Sequence, residues 1–227
     1  GTKVKIRLGA SSGEWKAMVA DEAARTTFAK NIKTVLEKNK LDGIDLDFEW
    51  AENEKEYKDY SLAILKMREV LGDKYLFSVS LHPVCYKISK EAIEAVDFIS
   101  LQCYGPSPVR FPIEKYCSDI QMVLEYGIPR EKLVAGVPFY GVTKDNSKKT
   151  EAYFNFVQNG LVTSPAQNEV IYQGDTYVFD GQDNIRIKTR YAKEQKLKGM
   201  MSWDLATDLP LSDSRSLLKT MTEELRE

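Results

Sequence analysis

Six short apolar segments recur along this 227-residue chain, and sequence with helical periodicity follows each of them. Strands that alternate with helices pair in parallel through right-handed crossovers. The chain is therefore predicted to be an α/β protein, built either as an open doubly wound sheet or as a (β/α) barrel. The predicted strands lie at residues 3–8, 43–48, 76–81, 98–104, 133–139 and 200–204.

A small hairpin near residues 165–181 is predicted to interrupt this alternation. The segments Val170 to Tyr172 and Tyr177 to Phe179 flank Gln173, Gly174 and Asp175, a spacing typical of two short antiparallel strands. No Gly- or Ser-rich linker divides the chain. We therefore predict one domain over residues 1–227, with the hairpin as an insertion.

The composition argues against several classes of protein. The 32 basic residues nearly balance the 34 acidic ones, and no basic block could neutralise phosphates, so nucleic acid is not an expected partner. No run reaches the roughly 18 apolar residues of a membrane span, and the N-terminus lacks a signal-peptide pattern. Cys85, Cys103 and Cys117 lack C-x-x-C spacing and are interpreted as buried thiols. His82, the single histidine, is interpreted as structural.

The most informative stretch is residues 41–50, which read LDGIDLDFEW. Asp45, Asp47 and Glu49 alternate with apolar residues, so a strand would place the three carboxylates on one face. A solvated acidic edge would not require interleaved large apolar residues, and a calcium loop would place its glycine after the first acids. The pattern favours a catalytic strand, because crowded carboxylates raise at least one pKa and keep an acid protonated near neutrality.

This stretch resembles the D-G-x-D-x-D-x-E signature of glycoside hydrolase family 18, the chitinases and their relatives. Other segments follow in the family's order, so the similarity covers nearly the whole chain. The resemblance implies a (β/α)8 TIM barrel that lacks its first two strands here and cleaves β-1,4 bonds next to N-acetylglucosamine, without a metal or cofactor. These segments are residues 3–8, 78–80, 136–141 and 199–203.

The resemblance also implies a role for each carboxylate. Glu49 matches the family's general acid, which then acts as the base that activates water. Asp47 matches the residue that orients the substrate's acetamido group, and Asp45 supports Asp47. Because the three share a strand face and cannot easily straddle the sugar, the acetamido oxygen is expected to act as the nucleophile, as in the substrate-assisted exceptions among retaining enzymes.

Four further residues are expected to contact substrate. Tyr104 matches the tyrosine that hydrogen-bonds the acetamido carbonyl, and Trp203 matches the tryptophan beneath the sugar being cleaved. Tyr140, in the G-x-P-F-Y-G segment, and Gln102 are further candidate substrate-binding residues. Core packing remains the alternative interpretation of Tyr140.

The chain departs from the family pattern in two ways. Many chitinases have Met-x-Tyr-Asp where this chain has Gln102, Cys103, Tyr104 and Gly105, so an acid that could touch substrate is missing. Glutamine at the first position resembles the plant-type and endo-β-N-acetylglucosaminidase branches. The missing first strands should also leave an exposed edge beside residues 3–8.

The leading hypothesis is an endo-acting chitinase-type glycosidase that binds N-acetylglucosamine oligosaccharides or polysaccharides, secreted or periplasmic like most of its relatives. One alternative is an endo-β-N-acetylglucosaminidase that acts on the chitobiose core of N-glycans. Another is a non-catalytic carbohydrate-binding barrel, although in such proteins the acid is typically the residue lost, whereas Glu49 is present. A third is that the missing strands leave the chain folded but inactive, or dependent on a partner chain.

Overall fold

The computed structural model describes residues 2–104, 111–145 and 149–226. The chain forms two compact units, one of residues 1–101 and 123–133 and the other of residues 102–122 and 134–227. Gly105, which belongs to the predicted substrate-contacting motif, lies outside the described residues.

The first unit is a parallel sheet whose strands are ordered β1-β2-β3-β4 and joined by crossover helices. Among the described residues, β1 pairs with β2 alone and lies at the edge of the sheet. This edge is the one predicted beside residues 3–8. This unit contains, in chain order, β1 (Lys5–Gly9), α1 (Ser12–Ala20), α2 (Glu22–Asn39), β2 (Gly43–Asp47), α3 (Glu54–Leu71), β3 (Leu76–Leu81), α4 (Lys90–Ala95) and β4 (Phe98–Leu101).

Side-chain caps fix where the helices of this unit begin. Asp21 accepts a hydrogen bond from the Ala24 N–H at the start of α2, and Ser89 accepts one from the Ala92 N–H at the start of α4. Both caps satisfy backbone donors that have no partner within the helix. Both helices follow strands of the sheet, as the alternation in the sequence predicts.

The start of β2 requires a glycine for steric reasons. A Cβ at Gly43 would lie 1.9 Å from the carbonyl oxygen of Leu76, the residue opposite it on β3. Any side chain there would force the two strands apart. This close approach accompanies the register that places Asp45 opposite Ser78 and Asp47 opposite Ser80.

The second unit contains a parallel strand pair, β5 and β10, and a separate antiparallel sheet ordered β7-β6-β9-β8. Its elements are most of α5 (Ile113–Tyr126), then β5 (Leu133–Pro138), β6 (Tyr140–Thr143), β7 (Thr150–Ala152), α6 (Tyr153–Gln158), β8 (Glu169–Tyr172), β9 (Asp175–Val178), α7 (Gln182–Glu194), β10 (Gly199–Trp203) and α8 (Leu217–Arg226).

The hairpin predicted near residues 165–181 is β8 and β9, which pair antiparallel around Gln173 and Gly174. Both turn residues have positive φ angles, 51° and 88°, as a tight hairpin turn requires. The sequence did not indicate that β6 and β7 extend this hairpin to four strands. The strands that it missed are only three and four residues long.

Three other details refine the sequence analysis. Helix α1 was not predicted, because only Trp15 and Val19 of its nine residues are buried and no apolar stripe marks it. Cys85 and Cys103 are buried as predicted, but Cys117 is only half-buried. None of the described helices is long and apolar enough to cross a membrane.

Candidate active site

Strand β2 presents its acids and its apolar residues on opposite faces, as the period of two predicts. Ile44, Leu46 and Phe48 are fully buried, and the Phe48 ring packs 4.9 Å from Tyr60 of α3 and 5.6 Å from Trp15 of α1. The apolar face therefore contacts the helices. The opposite face carries the carboxylates of Asp45 and Asp47, which are also buried.

Asp45 is held by groups from the strands on both sides. The Ser80 hydroxyl donates a hydrogen bond to one carboxylate oxygen at 2.6 Å, and the Ser78 hydroxyl donates one to the other. Lys5 on β1 lies 4.0 Å from the carboxylate and also donates to Ser78. Burial lowers the pKa of Lys5 below its usual range, while the charges of Asp45 and Asp97 oppose that shift.

Asp47 forms an ion pair with Arg7, which lies two residues along β1 from Lys5. Its side chain is only 4% exposed, whereas that of Arg7 is 39% exposed. An ionised carboxylate so deeply buried requires a charged or hydrogen-bonding partner. The ion pair thus favours a negative charge at Asp47.

Glu49 lies just beyond the end of β2 and is half-buried. It is followed by a cis peptide bond to Trp50, whose ring packs edge-on at 4.3 Å against the imidazole of His82. His82 is 4% exposed and its backbone bridges to Cys85, a position consistent with the structural interpretation. Glu49 is therefore the most accessible of the three acids.

The predicted aromatic residues form a group within the second unit. The Tyr104 ring meets the Tyr140 ring nearly at right angles, with 6.3 Å between centroids. The Tyr104 hydroxyl donates to Oε1 of Gln102 at 3.3 Å and to the sulfur of Met201 at 3.9 Å. Tyr104 and Gln102 are buried, and Tyr140 is half-buried. The structure thus joins three of the four candidate substrate-binding residues.

A buried lysine supports this aromatic group. Lys188 on α7 is 1% exposed, forms an ion pair with Asp180 at 2.5 Å, and donates to the Phe111 carbonyl at 2.7 Å. The Phe111 ring in turn packs 6.1 Å from that of Tyr140. Burial raises the pKa of Asp180, and the charge of Lys188 opposes that shift. Sequence reasoning missed this pair, because two opposite charges eight residues apart carry no sequence signal.

Trp203 ends β10 beside an open pocket of about 350 Å³. Its side chain is 39% exposed, unusual for a large aromatic residue, and a cis peptide bond joins it to Asp204. An exposed indole face at a pocket suits stacking against a sugar ring. The residues that line the pocket are Tyr140, Thr150, Glu151, Ala152, Trp203, Asp204 and Thr207.

The described parts of the chain contain no group of three His, Cys, Asp or Glu residues placed as metal ligands. Carboxylates such as those of β2 are groups that can transfer protons and stabilise positive charge. Sequence reasoning also missed the partners of these acids, Lys5, Arg7, Ser78 and Ser80. The sequence did carry a signal for them: basic and apolar residues alternate over residues 3–8, and serines flank Val79 at residues 78–80. These segments form the two strands beside β2.

Comparison with known proteins identifies the family. The family model described as Glycosyl hydrolases family 18 matches residues 1–208. The chain is 23% identical over 273 aligned residues to the protein named Probable chitinase 2 of Drosophila melanogaster, covering 91% of this chain. It spans only 56% of that relative's length.

Two solved structures show the same fold. The family 18 chitinase ChiB from the chitin utilization locus of Flavobacterium johnsoniae is 25% identical, with a TM-score of 0.82 over 98% of this chain and 74% of that one. The chitinase-like agglutinin of Robinia pseudoacacia is 18% identical, with a TM-score of 0.83 over 98% of this chain and 81% of that one. The α/β fold of the TIM-barrel type is therefore confirmed, and the chain belongs to glycoside hydrolase family 18.

Proposed function

We propose that the chain is a glycosidase that cleaves β-1,4 bonds next to N-acetylglucosamine, in chitin or chitooligosaccharides, by substrate-assisted retaining catalysis. The observation that carries this proposal is the geometry of β2. Asp45 and Asp47 are buried and held by partners from the adjacent strands, while Glu49 follows them at an accessible position. The family's relatives named chitinases support the substrate class.

In the proposed mechanism, the protonated carboxyl of Glu49 donates its proton to the glycosidic oxygen as the bond to the anomeric carbon breaks. The substrate's acetamido oxygen attacks that carbon and forms a cyclic oxazolinium-type intermediate. The Glu49 carboxylate then removes a proton from water, which attacks the anomeric carbon from the leaving-group side as the bond from that carbon to the acetamido oxygen breaks and the acetamido group is restored. The net configuration is retained, and Glu49 regains its proton.

Asp47 is proposed to accept a hydrogen bond from the acetamido N–H and to stabilise the positive charge of the cyclised nitrogen. The Arg7 ion pair keeps Asp47 ionised, and Asp45 remains fixed by its two serine hydroxyls. Tyr104, Tyr140 and Gln102 are proposed to bind the acetamido group and the sugar, with Trp203 beneath the ring. The short β8–β9 hairpin would leave an open groove, which favours endo cleavage of soluble chains.

The second candidate function is an endo-β-N-acetylglucosaminidase that acts on the chitobiose core of N-glycans. Gln102, which accepts a hydrogen bond from Tyr104 where many chitinases have methionine, favours this candidate. The fold shared with a chitinase-like agglutinin raises a non-catalytic, carbohydrate-binding candidate. The presence of Glu49 favours an enzyme over that candidate. We also propose that the protein acts outside the cytoplasm, because a polymeric substrate cannot enter the cell intact.

Product analysis tests the proposal. The chain should be incubated with chitooligosaccharides and, separately, with a high-mannose glycopeptide, and the products identified by mass spectrometry. Chitooligosaccharide cleavage with retained anomeric configuration is expected. Release of the glycan from the glycopeptide alone would favour the second candidate, and binding without cleavage of either would favour the non-catalytic one.

A Glu49→Gln variant tests the assignment of the acid. It should bind substrate but lose about 10²–10⁴ in kcat, because a positioned proton donor is removed without altering the fold. Glu52→Gln is the matched control, since the Glu52 side chain is 70% exposed and contacts Lys16. If Glu49→Gln turned over as fast as that control, Glu49 would not be the general acid.

A further inference from the structure

The pocket beside Trp203 holds two carboxylates that the proposed mechanism does not use. Glu151 is the middle residue of the short strand β7, and Asp204 follows Trp203 directly. Thr150 and Thr207 add hydroxyl groups to the lining. The pocket therefore combines an exposed aromatic face with negative charge.

Glu151 is oriented without the help of a cation. Its Oε1 accepts hydrogen bonds from its neighbour's backbone, the Ala152 N–H, at 2.8 Å, and from the Asn155 amide at 2.7 Å. Neither donor carries a charge. The carboxylate is thus fixed in direction while its negative charge is retained.

Asp204 has still fewer partners. Its Oδ1 is buried and has no hydrogen-bond partner among the residues that the structure describes. Thr207 directs both its hydroxyl and its N–H to the Asp204 backbone carbonyl, at 2.8 and 3.2 Å, and not to the carboxylate. A buried carboxylate oxygen without a donor is costly, and the charge of a cation near this carboxylate would lower that cost.

Within the described ranges, no lysine, arginine or histidine forms an ion pair with either carboxylate. The basic side chains of this unit that do form ion pairs go elsewhere, as with Lys149, which pairs with Asp175 at 2.7 Å. The pocket therefore keeps two negative charges beside an indole face. This combination matches an oligosaccharide in which one sugar stacks its apolar face on the indole while the ammonium group of the adjacent sugar meets the carboxylates.

We propose that this pocket selects a glucosamine unit, the deacetylated form of N-acetylglucosamine, at a position next to the sugar over Trp203, with Glu151 and Asp204 as the specificity-determining residues. This inference rests on the proposed function, because it extends the substrate from chitin to partly deacetylated chitin. The same charges disfavour sugars that carry a carboxylate.

Binding should be measured separately from cleavage, so that the two proposals can fail independently. The Glu49→Gln variant serves as the background, and calorimetry gives its affinities for the glucosamine trimer and for chitotriose. The informative quantity is the ratio of the two affinities, because the acids of β2 also attract cations. Glu151→Gln and Asp204→Asn are added singly, and Glu223→Gln, exposed on α8, is the matched control.

Each pocket variant should lower the glucosamine-to-chitotriose affinity ratio about threefold, the size of one partly screened charge contact. The ratio of the background variant should also fall in about 1 M salt, and Glu223→Gln should leave it unchanged. An unchanged ratio in Glu151→Gln would overturn the inference, even if Asp204→Asn failed to fold. Separately, failure of the unsubstituted chain to cleave chitooligosaccharides would overturn the proposed function but not the pocket's preference.

Discussion

In the first unit, Asp45 accepts hydrogen bonds from hydroxyl groups and Asp47 pairs with a cation, all from the adjacent strands. In the second unit, Glu151 accepts hydrogen bonds from uncharged donors alone. Asp204 has one carboxylate oxygen without a partner among the described residues. The difference teaches what each set can do. Carboxylates held by a cation and hydroxyl groups suit the fixed roles proposed for Asp45 and Asp47, while carboxylates without a cation remain able to attract one.

Among carboxylates that pair with a cation, Asp180 is the extreme case, because Lys188 is as buried as the carboxylate itself. Lys188→Met should lower the free energy of unfolding by about 3–5 kcal/mol, since it leaves an uncompensated buried charge. Chemical denaturation, monitored by circular dichroism, measures this change. Lys198→Met, at an exposed position, is the control.

A second variant distinguishes charge from packing at this site. Lys188→Met combined with Asp180→Leu should be more stable than Lys188→Met alone, because it removes both charges. If the double variant were no more stable than the single one, the loss would come from packing and not from the unpaired carboxylate.

The next largest effect should come from Asp47→Asn, which keeps the shape of the side chain and removes its charge. We expect kcat to fall about 10²–10³-fold, because an amide cannot stabilise the positive nitrogen of the cyclic intermediate. KM should change far less, since neutral substrate gains little from that charge. Steady-state kinetics on chitooligosaccharides measure both, with Asp73→Asn, an exposed residue, as the control. Equal losses in binding and turnover would assign Asp47 a positioning role only.

The smallest effect in this series is expected at Ser80, one of the two hydroxyl donors to Asp45. Ser80→Ala should lower the free energy of unfolding by about 1.5 kcal/mol, the lower end of the usual contribution of a hydrogen bond to a charged group. Ser80→Thr keeps the hydroxyl and should recover most of the loss. Thermal unfolding of the three proteins compares them, and equal melting temperatures for Ala and Thr would show that this hydrogen bond contributes nothing.

The strands and most helices could be predicted because their residues repeat with a period. Ile44, Leu46 and Phe48 alternate with acids and are all buried, and Asp21 and Ser89 cap the helices that the pattern indicated. The family signature then indicated which acids to examine. Periodic burial is a local property, so a single sequence records it well.

Contacts between segments far apart in sequence could not be predicted in the same way. The Arg7–Asp47 pair joins residues 40 positions apart, and Lys188 reaches the carbonyl of Phe111, 77 positions away. Such pairs depend on strand register and helix orientation, which propensity does not encode. The pocket carboxylate Glu151 lies on a three-residue strand that is too short to show a pattern.

The close approach of Gly43 to the Leu76 carbonyl also affects how mutational surveys of this chain should be interpreted. Gly43 stands inside the signature, so a substitution there that abolished hydrolysis would be counted as a catalytic loss. Its lack of a side chain instead spaces two strands, and the expected failure is a low yield of folded protein. In a saturation library scored for activity alone, losses at position 43 would look like losses at position 49. A parallel measurement of soluble expression would distinguish a loss of folded protein at Gly43 from a loss of the proposed acid at Glu49.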